Sequence, residues 1–270
     1  MPTVLHALLA VAAQHLSRFD RSRRASCMID ANRHYNTAIR IFMASRTAVT
    51  PLSGAAQLLL SILTCIFACA NAESVRGLLV FNAQGDLADW VVLFRTITPV
   101  VESDTETIWL RRLEPLFVQM RCSADARRTP QALELGQSYI WELKLKVLSE
   151  HSTNVRICKI YADTIDELGR VWGIAIKKDG ECSLQIAGIF SWLFEASNPY
   201  LEFLKQREPT ALVIFGHYIV ILRRFEWTWW MEELGGRLMT QIYSLLSEKY
   251  RSWLKWPQQQ IGWVPPDHMN

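Results

Sequence analysis

The chain has 270 residues, half of them hydrophobic, and its 29 basic and 26 acidic residues give a formal charge of +3. This composition supplies enough apolar side chains for a sizeable core and excludes a disordered chain. The near-neutral charge argues against a nucleic-acid-binding surface, which needs a dense basic stripe, and twelve glycines and ten prolines are few for a loop-rich β-sandwich.

The first hundred residues predict a series of helices. LHALLAVAAQHL has apolar residues at helical spacing and begins after Pro2, a residue favoured in the first turn. Helical spacing returns in residues 26–46. Residues 55–70 are apolar on nearly every face, which is typical of a helix in the middle of a bundle. A turn is expected at Gln84-Gly85, after which Asp86 is the predicted N-cap of DLADWVVLFRTI.

The rest of the chain continues the helical pattern. An exposed joint is expected at residues 127–130 and a solvated turn at residues 177–181. Helical periodicity is found in residues 131–150, 155–176, 183–196, 199–208, 210–227 and 229–250. We therefore expect an all-α protein: a single large helical domain over residues 1–270, built as an irregular bundle of about ten or more helices.

The cysteines and the N-terminus indicate the cellular compartment in which the protein is expected. No cysteine pair has the spacing of a zinc knuckle, so the thiols are expected to be reduced and mostly buried. The N-terminus lacks a basic leader, and the longest apolar runs are shorter than the ~20 residues of a membrane span. These features predict a soluble intracellular protein. The six cysteines are Cys27, Cys65, Cys69, Cys122, Cys158 and Cys182.

The stretch DTIDE, residues 163–167, is the strongest chemical pattern. Asp163, Asp166 and Glu167 share a helix face, and all-α isoprenoid cyclases hold magnesium with acidic residues so spaced. The second metal-binding stretch of those enzymes is absent. We favour a solvated stripe paired with Lys159 and Arg170.

The other candidate residues each have two interpretations. Cys65 and Cys69 could be ligands of a soft metal ion, but we favour the interpretation that they lie in a helix–helix contact that requires small side chains. His217, inside VIFGHYIVIL, is either a satisfied core histidine or a pocket residue that meets a ligand hydroxyl. The arginines of RFDRSRR are interpreted as a solvated loop rather than a phosphate or import site. No common hydrolase, protease or nucleotide signature occurs, and no cofactor or metal is expected.

The segment FEWTWWMEELGG, residues 225–236, crowds three tryptophans together. If residues 227–248 are helical, Trp227, Trp230 and Leu234 share one face, while Trp229 points towards Glu233. The tryptophans then either fill the core between two helices or line a pocket for a flat apolar molecule. The predicted ligand-binding residues are Phe215, His217, Trp227, Trp229, Trp230 and Leu234.

The C-terminal third, from NPYLEFLKQREPTALVIFGHYIVILRRFEWTWW onwards, resembles the C-terminal regulatory domain of fungal binuclear-zinc-cluster transcription factors. The branch it looks most like is that of the sterol uptake control proteins. LHALLAVAAQHLSR, HYNTAIRIFM and DLADWVVLFRTI are similar to upstream helices of that family, whereas residues 100–155 match poorly. The ending WL-x-WP-x(4)-IG is matched by Trp253, Leu254, Trp256, Pro257, Ile261 and Gly262.

The resemblance implies an all-helical domain that senses apolar small molecules, sterols in the best-known branch, through a pocket between helices. It also implies residence in the nucleus or cytoplasm, and often self-association. The zinc cluster that reads DNA in the family has no counterpart here, so no direct DNA contact is expected. Glu233 and Leu234 stand where the family usually has glycine and tryptophan, and a carboxylate beside a sterol pocket is costly unless it is paired or solvated.

Three hypotheses follow. The first is a transcriptional regulator domain that senses a sterol- or terpenoid-like molecule and acts through protein partners or as a homodimer. The alternative is a helical-pocket enzyme of fungal secondary metabolism, rearranging a terpenoid or polyketide, with Glu233, His217 and Asp163 as acid/base candidates. The third is a truncated paralogue without a ligand. The absence of enzyme signatures favours a non-enzymatic role.

Overall fold

The structure is a computed structural model that describes residues 1–44, 51–71, 78–103, 137–175, 190, 192–193 and 196–265. Within these ranges helices are joined by turns, and the extended pairing found there is one isolated bridge between Phe81 and Leu87. The predicted all-α class is confirmed. No helix in the described ranges has the length and hydropathy that a membrane crossing requires.

The helices are numbered in chain order. They are α1 (Pro2–Phe19), α2 (Arg24–Ala44), α3 (Pro51–Ala70), α4 (Asp89–Ser103), α5 (Gln137–Glu150), α6 (Val155–Ala175), α7 (Asn198–Lys205), α8 (Pro209–Arg223), α9 (Leu234–Leu245), α10 (Glu248–Arg251), a 3-10 helix (Ser252–Leu254) and α11 (Lys255–Ile261). The expected exposed joint, the solvated turn, Cys122 and Cys182 lie outside the described residues.

The contacts divide the chain into two compact units. The N-terminal unit comprises Met1–Phe117 together with Thr228–Glu232, and the C-terminal unit comprises Val118–Trp227 and Glu233–Asn270. The tryptophan segment is therefore shared between the two. Whether both units act as one regulatory domain stays a prediction.

Alanines bring α1 and α2 together in the N-terminal unit. Ala7 and Ala10 of α1 and Ala31 and Ala38 of α2 are buried, and side chains this small let two helix backbones approach closely. Ala7 and Ala38 also pack with Leu60, on α3. The small-residue faces thus form the centre of this unit.

Helix α3 fulfils the expectation for a helix apolar on every side. None of its side chains from Ala56 to Ala70 is exposed. Cys65 and Cys69 are free and buried, and burial first, then the hydrogen bond with Cys69, raises the pKa of the Cys65 thiol. A neutral thiol is a poor metal ligand. The contact interpretation of this pair is the better supported.

The start of α4 differs from the sequence prediction. Helix α4 begins at Asp89 rather than after Asp86, so the predicted N-cap is wrong. The Asn82 side chain accepts hydrogen bonds from the backbone N–H groups of Gln84 and Asp86, which holds residues 82–86 in a tight turn. The expected turn at Gln84-Gly85 is confirmed, and Gly85 adopts a left-handed φ of 84°.

Helix α8 is the centre of the C-terminal unit. Every residue from Thr210 to Leu222 is buried, and the helix contacts α6, α7, α9, α10 and α11. Pro209 starts the helix in the position where a missing N–H costs nothing. The preceding helix α7 is capped by Ser197, whose side chain accepts from the backbone N–H of Tyr200.

Candidate functional site

The tryptophan segment is a chain of turns, so the prediction of a helix over residues 227–248 is wrong at its start. Helix α9 begins at Leu234, and Glu233 before it has a left-handed φ of 57°. Glu226 fixes this geometry: its Oε1 accepts from the backbone N–H of Gly235 at 2.9 Å, while its other oxygen pairs with Arg223. The carboxylate thereby satisfies a free N–H in the first turn of α9.

The three tryptophans have three different environments. The predicted common face of Trp227, Trp230 and Leu234 is wrong, because Trp227 is 78% exposed while Trp230 and Leu234 are buried. Trp229 is half-buried within the N-terminal unit. Its ring lies 4.8 Å from that of His15 and 5.6 Å from the Arg18 guanidinium.

Phe215 and His217 occupy different surroundings on α8. Phe215 is wholly buried, with its ring near those of Trp192 and Tyr218. His217 is also buried, and its Nδ1 donates to the carbonyl oxygen of Val213 at 2.9 Å. Burial lowers the pKa of His217 to about 4, which the hydrogen bond to Val213 partly opposes. The imidazole is therefore neutral at physiological pH.

Four rings of the C-terminal unit form what we call the aromatic cluster: Tyr139, Trp172, His217 and Trp256. Trp256 is central to it. Its ring stacks on Tyr139 at 4.7 Å, meets Trp172 edge-on at 5.4 Å and stacks on His217 at 5.7 Å. Tyr139 is half exposed, so the cluster reaches the surface.

The indole N–H of Trp256 is buried, and the described part of the chain provides no hydrogen-bond acceptor for it. A buried donor without an acceptor costs about 1–3 kcal/mol. An acceptor oxygen brought to this N–H by another molecule would remove that cost. Among the described residues the cluster thus combines aromatic rings, of which Tyr139 is half exposed, with an indole donor that lacks an acceptor. Apolar walls with a few polar groups are typical of small-molecule sites.

The other residues of the C-terminal signature position this cluster. Gly216 lies against Leu254, and a Cβ at Gly216 would come within 2.5 Å of the Leu254 Cδ2. Gly262 ends α11 with a left-handed φ of 67°, and Trp263 N donates back to the carbonyl oxygen of Gln258. This is the helix ending for which glycine is best suited. The signature therefore holds Trp256 against α8.

The sequence analysis identifies His217 but not the two rings that join it through Trp256. Tyr139 and Trp172 lie on α5 and α6, far from His217 along the chain, and nothing in their local pattern separates them from core aromatics. Trp256 belongs to the C-terminal signature, which assigns it no role by itself. The fold shows which rings it joins.

The residues considered for catalysis are not brought together. Asp163 is exposed on α6, Glu233 is exposed in the turn before α9, and the contacts described for His217 involve neither. Asp166 pairs with Lys144 of α5 and Glu167 with Arg170. The described ranges contain no group of three or more residues arranged to hold a metal ion. DTIDE is thus engaged largely in ion pairs.

Comparison with known proteins gives one informative match. The chain is similar to a Zn(2)-C6 fungal-type transcription factor. That protein, from Gibberella zeae, is 21% identical over 93% of this chain. The chain spans about half, 51%, of the length of this curated relative. No protein-family profile matches the chain, and no solved structure matches it.

Proposed function

We propose that the chain is a regulatory region of a Zn(2)-C6-type transcription factor, and that it senses an apolar small molecule and acts through protein partners. The observation that carries the regulatory part is the similarity to the Gibberella zeae protein over 93% of the chain. The all-helical fold agrees with the resemblance carried by the C-terminal signature. A role in transcription places its action in the nucleus.

The aromatic cluster is the proposed ligand site. Its outermost ring, Tyr139, is half exposed and can meet an apolar molecule. The described residues provide no acceptor for the Trp256 N–H, which favours a ligand that carries a hydrogen-bond acceptor. A sterol or terpenoid alcohol or ketone has this chemistry. Of the residues predicted from sequence, His217 is the one that this proposal assigns to the site. Phe215, Trp230 and Leu234 are buried, Trp229 packs on His15 and Arg18, and the exposed Trp227 is available to a protein partner.

Ligand binding is tested with dehydroergosterol, a fluorescent sterol, by energy transfer from tryptophan. Saturable binding is expected for the full chain. Trp256→Phe keeps an aromatic ring at this position, although a smaller one, and removes the N–H, so binding should weaken about 3–10-fold, the value of one hydrogen bond. Trp253→Phe is the matched control, because Trp253 belongs to the same signature but contacts Tyr250 instead. It should bind like the wild type.

Native mass spectrometry of the chain purified from a fungal host tests the same site without choosing a ligand. A co-purifying lipid that is reduced in Trp256→Phe supports the proposal. Protein that is empty in every preparation and shows no saturable sterol uptake would overturn the sensing role.

The regulatory role is tested separately from ligand binding. The chain is fused to an unrelated DNA-binding domain, and a reporter gene carrying its binding site is measured in a fungal cell. Expression should change relative to the DNA-binding domain alone. Unchanged expression with and without sterol depletion would contradict a regulatory function, whatever the outcome of the binding experiment.

A further inference from the structure

The outer face of α1 is exposed and apolar along its whole length. Leu5, Leu9, Ala12, Leu16 and Phe19 are all exposed and follow one another at intervals of four, three, four and three residues. We call these five residues the outer seam. This alternation is the heptad spacing by which one α-helix packs along another. No charged residue occurs in α1 before Arg18.

The opposite face of α1 makes the outer seam unusual. The buried residues of α1 are Ala7, Ala10, Gln14 and Ser17, all small or polar. The large apolar side chains therefore point outwards, with Leu5 55% and Phe19 73% exposed. Full burial of a leucine side chain contributes about 1.5–3 kcal/mol, and each of these half-exposed leucines forgoes part of that. A helix used only inside its own unit would place its leucines inwards.

The seam is large enough to be an interface. It runs from Leu5 to Phe19, about 21 Å at the α-helical rise, and together with Leu8 beside it exposes an apolar area on the order of 500 Å². Two such faces in contact would bury on the order of 1,000 Å², the lower end of what a specific complex needs. A reversible, concentration-dependent dimer is the matching outcome.

Charge decides between the orientations of a second copy. Residues 1–44 contain six arginines and two aspartates, a net +4, and four of those arginines, from Arg18 to Arg24, lie at the C-terminal end of α1 and the start of α2. Parallel packing would place these clusters side by side. Antiparallel packing separates them by about the length of the seam, more than the ~8–10 Å over which salt screens charge.

We propose that two copies of this chain associate by packing their outer seams antiparallel, with the two-fold axis near Ala12. A second α1 supplies the same heptad spacing, brings no carboxylate or ammonium group into the contact, and has alanine at the midpoint where the helices come closest. The proposal is independent of the proposed function, since it involves neither the aromatic cluster nor a ligand.

The full chain is examined by sedimentation over a wide concentration range. The wild type should change from monomer to dimer, and Leu9→Glu or Leu16→Glu should weaken dimerisation by about a hundredfold because each buries a carboxylate in an apolar contact. Ile29→Glu is the matched control: Ile29 is 68% exposed, but it lies on α2, outside the seam. It should dimerise like the wild type. A wild type that is monomeric throughout, or dimers that survive both seam substitutions, would overturn the proposal.

Disulfide formation gives a second measurement that does not rely on a charged substitution. Ala12→Cys should form a covalent dimer on mild oxidation, whereas Leu5→Cys should not, because antiparallel packing keeps the two copies of position 5 far apart. Cross-linking through position 5 and not position 12 would refute the antiparallel arrangement. A monomer that instead floats with phosphatidylserine vesicles would assign the seam to a membrane surface and end the proposal.

Discussion

Helices α1 and α8 have similar sequences in one respect and opposite burial. Both are rich in apolar residues. In α8 every residue from Thr210 to Leu222 is buried within the C-terminal unit. In α1 the buried residues are two alanines, a glutamine and a serine, and the leucines are exposed.

The difference shows what an all-apolar helix does and does not establish. Such a sequence indicates that the helix is covered on all sides in its working state. For α8 the cover is present in the chain itself. For α1 the described residues cover one face and leave the leucines of the other face exposed. Substitutions in and around the two helices can test this difference.

The largest expected effect comes from removing equivalent leucines from the two helices. Leu212→Ala in α8 should lower the free energy of unfolding by about 2–5 kcal/mol, since it opens a cavity at a wholly buried position. Leu8→Ala in α1, where Leu8 is 52% exposed, should change it by less than about 0.5 kcal/mol in dilute protein. Urea unfolding measures both. Equal losses would show that the contrast between the helices is false.

The buried histidine of α8 should make its unit sensitive to acid. The pKa of His217 is lowered to about 4 from an ordinary 6.5, so the unfolded chain binds the extra proton first as pH falls. The stabilisation is complete above pH 6.5 and is lost between there and pH 4, up to about 3 kcal/mol. Unfolding free energies at a series of pH values measure it. His217→Phe should flatten this part of the profile, and an unchanged slope would rule out His217 as its source.

Two glycines test how closely the helices of the C-terminal unit approach. Gly216→Ala should destabilise by about 1–3 kcal/mol, because its Cβ would meet the buried Leu254 at 2.5 Å. Gly236→Ala on α9 should stabilise by up to about 1 kcal/mol, since its nearest neighbour would be 3.9 Å away and alanine is the better helix former. Thermal unfolding of the two variants should therefore shift in opposite directions. Shifts of the same sign would contradict the packing described.

The smallest effect is expected at the surface of α1. Arg18 pairs with Glu232 and lies over Trp229, but both charged side chains are partly exposed. A double-mutant cycle on Arg18→Ala and Glu232→Ala should give a coupling of about 0.2–1 kcal/mol that declines with added salt. A salt-independent coupling would mean that the pair is shielded from water.

The fold was largely predictable because helical periodicity is a local property. The spacing of apolar residues located α2, α6 and α8 closely, and burial of α3 followed from its apolar composition. The helix prediction for the tryptophan segment is wrong for a specific reason. Helical spacing continues through residues 227–233 of the sequence, but in the structure Glu226 accepts a hydrogen bond from Gly235 across the turn, and Glu233 has a left-handed φ. Neither a hydrogen bond between side chain and backbone nine residues apart nor a left-handed glutamate changes the spacing of apolar residues, so hydrophobic periodicity cannot predict them.

The candidate site was less predictable than the fold. His217 was identifiable because a polar residue in an apolar helix needs a partner. His217 stacks on Trp256, and Trp256 also contacts Tyr139 and Trp172. These four rings come from α5, α6, α8 and α11, and nothing in the sequence shows that they meet. The exposure of the α1 leucines was equally hard to predict. In α1 the alanines, Gln14 and Ser17 face inwards instead of the leucines, and a burial pattern of that kind is not expected from hydropathy.

Trp227 gives the molecule a built-in optical reporter. It is the most exposed tryptophan of the described residues, and it stands in the turn that leads from one compact unit into the other. Its emission should be red-shifted and open to quenching by iodide, unlike that of the buried indoles, and a Trp141→Phe background removes the other strongly exposed indole of the described residues. If a protein docks on this turn, the emission maximum of Trp227 should shift to shorter wavelength and its quenching by iodide should decrease. No dye needs to be attached to the chain.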